Sequence, residues 1–265
     1  MVEFYREFAR RFAVLYPELS QVGADWGTRD PLATSTLDRL FGDDRRACLL
    51  PEHGDSSALE VRQKTLPGAV RYVVVSRKNV PASDSSDSAN RLREWLWPTT
   101  DLPATDLVYD CTEELLHGKA KPILCDLSRL PLRVFALLPT QLERLSVRAQ
   151  QQVAVGSRCQ WEVVGTDASD RRIAGQMPIV VSLVDPHGKS SPDQFFLTTP
   201  TGDLRGMLPA ASLATTGDWT LVVRSQLNGL ETRVPIHVSP TAPQPARANL
   251  TADQSDQRWA PQPMK

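Results

Sequence analysis

Between Glu143 and Ser239 the chain runs as short apolar stretches cut at close intervals by turn signals. Asp185-Pro186-His187-Gly188 is one such signal, Thr201-Gly202-Asp203 is another, and Gly217-Asp218-Trp219 opens a further apolar run. Proline and glycine at such places stop a helix from propagating and set up turns instead. The runs predict strands near Arg144–Ala149, Cys159–Gly165, Ile179–Asp185, Gln194–Thr198, Asp218–Arg224 and Glu231–Val238, with a shorter one near Leu204–Leu208. Six or seven short strands over about 95 residues is the count expected of an immunoglobulin-like β-sandwich. That fold holds, spaces or binds, and it names no ligand by itself.

The preceding region also reads as β-structure. Ala58–Lys64 alternates weakly, and Leu66-Pro67-Gly68-Ala69 has the Pro at i+1 and Gly at i+2 of a type II turn. Val70–Ser76 is rich in β-branched residues, so these pieces predict a hairpin. Asp106–Cys111, Lys121–Asp126 and Leu132–Leu138 are expected to complete the sheet, and Pro139-Thr140 makes a natural boundary. The expected class is therefore mostly β: two consecutive β-sandwich domains with an N-terminal helix and a disordered C-terminal tail. The parts are 1–45 (helix and irregular segment), 46–139 (first sandwich), 140–239 (immunoglobulin-like sandwich) and 240–265 (tail, with five prolines). Each sandwich is expected to hide one face of each sheet in a dry core about 10 Å thick.

The helix is expected over residues 2–16. Phe4, Phe8 and Phe12 recur at i, i+4 and i+8, beside Val2, Tyr5, Ala9, Leu15 and Tyr16, with Arg6, Glu7, Arg10 and Arg11 on the other side. An apolar stripe this rich must pack on something. It either covers a sheet of the next domain or is the last helix of a preceding one. Glu3 and Glu7 weigh against a membrane-surface helix. Trp26, near Gly23 and Gly27, would plug the helix onto the sheet, and the polar run Pro81–Ser88 reads as a mobile loop.

A net charge of −1 gives no basic field to attract nucleic acid. No apolar run approaches the roughly 20 residues that cross a bilayer. The start, Met1 to Glu7, lacks an apolar h-region, so no signal peptide is read there; the chain is either cytoplasmic or a piece of a longer exported protein. The four cysteines, Cys48, Cys111, Cys125 and Cys159, form no C-x-x-C pair and have no histidine at ligand spacing, so neither a zinc site nor a cofactor is expected. Cys111 and Cys125 flank a hairpin centred on His117-Gly118, where a bridge and two separate buried thiols are both open.

Catalytic patterns are scarce. The chain has no G-x-S-x-G, H-E-x-x-H, phosphate loop or G-x-G-x-x-G. The acid pairs Asp43-Asp44 and Glu113-Glu114 read as solvated loop carboxylates. Asp167, Asp170 and Asp185 lie on loops but lack the spacing of an EF-hand calcium loop. His187 is expected to be exposed in its turn, and Asn249-Leu250-Thr251 is a glycosylation sequon that occurs often by chance. Trp161 and Trp219 are expected in the core. Trp95 and Trp97, two apart, would share one face of an extended segment. Turned inward they are core; turned outward they form a pair that stacks on sugar rings or a partner. They are the candidate ligand-binding residues, and no catalytic or metal-binding residue is assigned.

Three segments carry a family resemblance: Arg71-Tyr72-Val73-Val74-Val75-Ser76-Arg77-Lys78, Leu107-Val108-Tyr109-Asp110 and Leu132-Arg133-Val134-Phe135-Ala136-Leu137-Leu138-Pro139. The region resembles the β-sandwich at the C-terminal side of planctomycete glycosidase-like proteins, with Ser76 and Arg77 where those have Asn-Asp. The next domain is similar to macroglobulin-type and bacterial immunoglobulin-like modules through Asp185-Pro186-Gly188, Thr201-Gly202 and Gly217-Trp219-Leu221-Val223. The resemblance spans about residues 58 to 239. It implies a non-catalytic accessory or interaction module of a larger surface or exported carbohydrate-related protein, with a protein or polysaccharide as partner. The alternatives are a carbohydrate-binding module using Trp95 and Trp97, the C-terminal fragment of a glycoside hydrolase, and a binder that adds a strand at a sheet edge.

Overall fold

The computed structural model describes residues 47–53, 57, 59–68, 70–77, 92–128 and 132–240. The expected N-terminal helix, Trp26, Asp43-Asp44, the Pro81–Ser88 loop, the tail and its sequon lie outside them. What is described is mostly β, as expected.

The first part holds β1 (Leu49–Pro51), β2 (Leu59–Leu66), β3 (Val70–Arg77), β4 (Arg93–Pro98), β5 (Leu107–Asp110), β6 (Leu115–Lys119), β7 (Ile123–Asp126) and β8 (Leu132–Leu138). They form a three-stranded sheet ordered β1-β4-β7 and a five-stranded sheet ordered β2-β3-β8-β5-β6. Gly68, with φ +89°, makes the β2–β3 turn at the position where a type II turn needs a left-handed residue.

The second part holds β9 (Arg144–Ala149), β10 (Gln152–Ala154), β11 (Cys159–Thr166), β12 (Pro178–Val184), β13 (Gln194–Leu197), β14 (Asp203–Leu208), β15 (Gly217–Ser225) and β16 (Glu231–Ser239). The sheet β14-β11-β9 faces the sheet β10-β16-β15-β12-β13, the crossed-over strand order of an immunoglobulin-like sandwich. Trp161 on β11 is buried and stands edge-on to Phe196, with ring centroids 5.7 Å apart. Its cross-strand neighbour is Gly206, whose missing side chain leaves room for the indole: a Cβ there would lie 2.1 Å from the ring. Trp219 is only half buried, and its Nε1 donates to the Thr215 carbonyl at 3.0 Å.

The expectation that every sheet hides one face only is corrected for β2-β3-β8-β5-β6. Its strands alternate between two cores. Val73, Val75, Phe135 and Leu137 pack toward β1-β4-β7 with Leu49, Leu96 and Ile123. Val70, Tyr72, Val74, Val134, Ala136 and Leu138 point the other way, into one continuous core with the second sandwich. Double-sided burial explains why Tyr72–Val75 of β3 and Val134–Leu138 of β8 read as continuous apolar runs: an alternating strand would leave polar groups buried on one side.

The second sandwich meets that face end-on, with the loops at one of its ends. The Tyr72 hydroxyl donates to the Gln176 carbonyl at 2.7 Å, and the Leu142 N–H donates to the Tyr109 hydroxyl at 2.9 Å. Arg224 reaches Glu114 at 3.3 Å. At the opposite end Asp185 caps its own turn, accepting from the N–H groups of His187 and Lys189, and His187 is exposed as expected.

Candidate functional site

The remaining face of β1-β4-β7 points to solvent. Along β4 the burial alternates: Glu94 and Leu96 point into the core, while Arg93, Trp95 and Trp97 point out. Register then builds a surface. Leu50 on β1 is the Cα partner of Trp97, and Leu124 on β7 is the partner of Trp95. All four are exposed: Leu50 45%, Trp95 45%, Trp97 48% and Leu124 39%. Trp95 and Trp97, two residues apart on one strand, have Cα atoms about 6.5–7 Å apart, and each cross-strand partner sits about 5 Å away. The result is one contiguous apolar patch, and patches of this kind mark interaction surfaces.

The patch has a polar end. Arg93 faces Asp126 across the sheet, and its Nε lies 3.0 Å from Asp126 Oδ2. The hydroxyl and N–H of Ser128 hold the Asp126 carboxyl below its ordinary range. Exposed Glu52 follows β1, and its N–H donates to the Trp95 carbonyl at 2.9 Å. An occupant would therefore meet two indoles and two leucines, with a guanidinium and carboxylates at the margin.

Behind this face the strand is pinned by a buried carboxylate. Glu94 accepts from the His53 N–H at 2.7 Å and from the Ser57 hydroxyl, and His53 Nδ1 lies 3.0 Å from it. Serine, histidine and glutamate invite comparison with a catalytic relay, but the wiring differs. A relay needs the serine hydroxyl bonded to the histidine. Here Ser57 donates its proton to Glu94 and accepts from the Leu59 N–H at 2.8 Å, so its one proton is committed to the carboxylate and not to the histidine. The cluster ties the β1–β2 connection to the inner side of β4 and so holds the tryptophan face in register.

A second surface, not foreseen from the sequence, is a shallow groove of about 750 Å³ over β14-β11-β9, lined by residues including Arg148, Gln160, Glu162, Arg205 and Met207. Arg205 pairs with Glu162 at 3.0 Å. It combines that ion pair with exposed Met207 and the edge of Trp161, a mixed polar and apolar lining.

The other sequence candidates are dispersed. Asp167 accepts from Ser169, Arg171 and the Arg171 side chain; Asp170 pairs with Arg144 at 2.7 Å; Asp185 caps its turn. Among the described residues no group of three or more His, Cys, Asp or Glu is placed to hold a metal ion. Glu113 and Glu114 pair with Arg133 and Arg224. Of the two alternatives open for Cys111 and Cys125, the structure shows separate buried thiols, and all four cysteines are free and buried. Cys111 packs in the core shared with the second sandwich and Cys125 in the core between the first two sheets, on opposite faces of the five-stranded sheet. The hairpin is not centred on His117-Gly118. Its turn is Cys111–Glu114, and Gly118 lies within β6 beside a register shift at Val108/Tyr109.

No family model matches the chain, and no curated protein matches it in sequence. Sequence comparison therefore ties it to neither planctomycete glycosidase-like proteins nor macroglobulins. Among solved structures it is similar to a β-glucosidase from Listeria innocua (11% identity, 36% of this chain, 16% of that chain, TM-score 0.24). It is also similar to the CARDB domain of the PF1109 protein from Pyrococcus furiosus (11% identity, 38% of this chain, 91% of that chain, TM-score 0.26). A third is the superoxide reductase of Ignicoccus hospitalis (17% identity, 37% of this chain, 82% of that chain, TM-score 0.27). The match spans about a sixth of the β-glucosidase, and each likeness takes in little more than a third of this chain. Among the described residues no helix is long and apolar enough to cross a membrane.

Proposed function

We propose that this chain is a non-catalytic accessory module of a larger carbohydrate-related protein, and that it binds polysaccharide through the outer face of β1-β4-β7. The observation that carries this reading is the outward turn of Trp95 and Trp97 on one strand. Indole faces are flat, apolar and rigid, and they gain free energy by covering the apolar face of a ring without needing a deep pocket. Arg93, Asp126 and Glu52 at the margin supply donors and acceptors for hydroxyl groups. The end-on packing of the second sandwich supports a spacer role for that part, because the loops at one of its ends are used in the junction.

The test is titration of the full chain with soluble polysaccharides, followed by tryptophan fluorescence. Burying one large apolar side chain stabilises by about 1.5–3 kcal/mol. Trp95→Ala or Trp97→Ala should therefore weaken binding about tenfold or more. Wild-type protein that responds to none of a broad polysaccharide panel would defeat the reading.

Leu50 and Leu124 favour a second reading, in which the same face docks a protein. Aliphatic side chains complement a protein surface better than a hydrated sugar. In that case the polysaccharide panel stays silent while Leu124→Asp abolishes capture of the partner.

A further inference from the structure

We infer that the second sandwich carries a separate small-molecule site at the end away from the junction, a hollow that takes the ring of one neutral sugar unit. The ligand class rests on the carbohydrate reading above; the hollow itself uses neither Trp95 nor Trp97.

The hollow has a volume of about 430 Å³ and opens between the turn at residues 185–191, Ser212 and Trp219. Its depth is apolar, lined by Val181 (2% exposed), Leu183 (4%) and Leu208 (4%). Sandwich interiors are close-packed, so an opening that reaches core side chains is a departure from the rest of the fold. It also accounts for Trp219. That residue shares its strand face with Leu221 and Val223, which are fully buried in the core, yet it is half-buried because it borders the hollow. The size lies within the roughly 300–1,000 Å³ of small-molecule sites, and apolar walls with a few polar groups are their usual make-up.

The polar groups sit at the rim. Asp185 Oδ1 takes the N–H groups of His187 and Lys189, and Oδ2 makes no hydrogen bond to a described residue. Lys189 forms no ion pair with a described residue, and the hydroxyls of Ser190 and Ser212 are likewise uncommitted among them. The rim therefore offers an acceptor, a cationic donor and two hydroxyls above an apolar floor. A pyranose ring has the matching halves: a C–H face that covers an indole or leucine, and hydroxyls that both donate and accept. One carboxylate and one ammonium sum to zero, so an ionic ligand of either sign meets a like charge, and a neutral ring meets none.

The hollow is also preformed. Val184 and Ser190 form a β-bridge, and the Asp185 N–H donates to the Lys189 carbonyl at 3.0 Å. The Leu183 N–H donates to the Ser191 hydroxyl at 2.9 Å, and Trp219 Nε1 is held by Thr215. A small ligand then binds without first ordering the loop, which is the cost that most weakens such contacts.

The experiment follows the indole N–H signals of the ¹⁵N-labelled full chain while methyl pyranosides of the common hexoses and pentoses, and the matching methyl uronides, are added. The chain has six tryptophans, and Trp219→Phe, Trp95→Phe and Trp97→Phe identify their own signals by loss. At least one neutral pyranoside should move the Trp219 signal saturably, and its uronide should bind more weakly. Lys189→Ala removes a charged hydrogen bond and should weaken binding about tenfold or more. Ser212→Leu fills the hollow and should abolish binding without lowering the urea midpoint. A Trp219 signal that stays still with every pyranoside, a uronide that binds more tightly, or binding indifferent to Lys189→Ala would overturn the inference; Lys189→Ala decides if Ser212→Leu fails to fold. Failure here is distinguishable from failure of the proposed function. Polysaccharide that moves the Trp95 and Trp97 signals while Trp219 stays still removes the hollow alone. A pyranoside that moves Trp219 while no polysaccharide moves Trp95 or Trp97 keeps the hollow and removes the β1-β4-β7 face as a sugar site.

Discussion

Gly68 and Gly175 meet backbone to backbone where the two sandwiches join: a Cβ on Gly68 would lie 2.4 Å from Gly175 Cα. Gly175 is equally constrained, since its own Cβ would fall 2.2 Å from Val70 Cγ2. Both have positive φ, +89° and +129°. Gly68→Ala and Gly175→Ala each add overpacking to a left-handed backbone, and each should destabilise by about 2–4 kcal/mol. Gly188, with φ +82° and open space around it, is the control; Gly188→Ala carries only the conformational part, about 1–2 kcal/mol. Urea melts of the three variants check this. Equal losses at all three positions would mean that the junction is not tightly packed.

His117 supplies a pH dependence. Burial depresses its pKa below 6.5; Asp110 opposes this, while Arg133 and Lys121 add to it and Glu113 opposes it. Nε2 of the ring is buried without a hydrogen-bond partner. A depressed histidine contributes stability that is present above the unfolded-state pKa, about 6.5, and is lost as pH falls through that value toward the folded-state pKa. The difference in stability between wild type and His117→Gln should therefore shrink from pH 7.5 to pH 5.5. Its slope should stay well under the single-group limit of about 1.4 kcal/mol per pH unit, because the ring is only partly buried and solvent screens it. Denaturant midpoints across that range are the measurement, and parallel pH profiles for the two proteins would refute it.

The strands legible in the sequence were those whose side chains report burial on their own. Leu132–Leu138 and Arg144–Ala149 have the expected bounds, and most other expected strands differ by one or two residues at an end. Four strands, β1, β4, β6 and β10, were not foreseen. β1 and β10 have three residues each and owe their structure to pairing with β4 and β16 rather than to their own pattern. β4 holds the candidate site. Its alternation placed Trp95 and Trp97 on one face, but which face is decided by Glu94, whose partners His53 and Ser57 lie some forty residues away in sequence. Leu50 and Leu124 join the patch only through register, which no local pattern encodes. The hairpin at Cys111 was displaced because Gly118 looked like a turn residue and in fact serves a bulge.

The cysteines should be silent in the folded protein. Burial pushes the Cys48 thiol up to about 11 and the Cys125 thiol up to about 12. Thiolate is the reactive form, so at pH 8 only about one Cys48 thiol in a thousand, and fewer Cys125 thiols, is poised to react, and none of the four cysteines is exposed. Ellman's reagent should therefore label the native protein slowly, at a rate set by unfolding, and should count four thiols at once in denaturant. Rapid labelling of the native state would show that one of the two cores is open.

Trp95 and Trp97 should be expendable for stability, and Trp161 should not. The exposed pair contributes to folding through cross-strand contacts with Leu124 and Leu50, each worth about 0.2–1 kcal/mol. The Trp95→Ala, Trp97→Ala double variant should thus lose about 1–2 kcal/mol at most. Trp161 fills the second sandwich beneath Phe196 and against Gly206, so Trp161→Ala leaves a cavity and should cost about 3–5 kcal/mol. Large, solvent-facing aromatics that add little to folding are maintained at a cost in solubility, and that cost makes sense where the side chains meet an occupant. Thermal melts of the two variants separate the cases. A double variant as unstable as Trp161→Ala would place the β4 tryptophans in the core and remove the basis for reading that face as a docking surface.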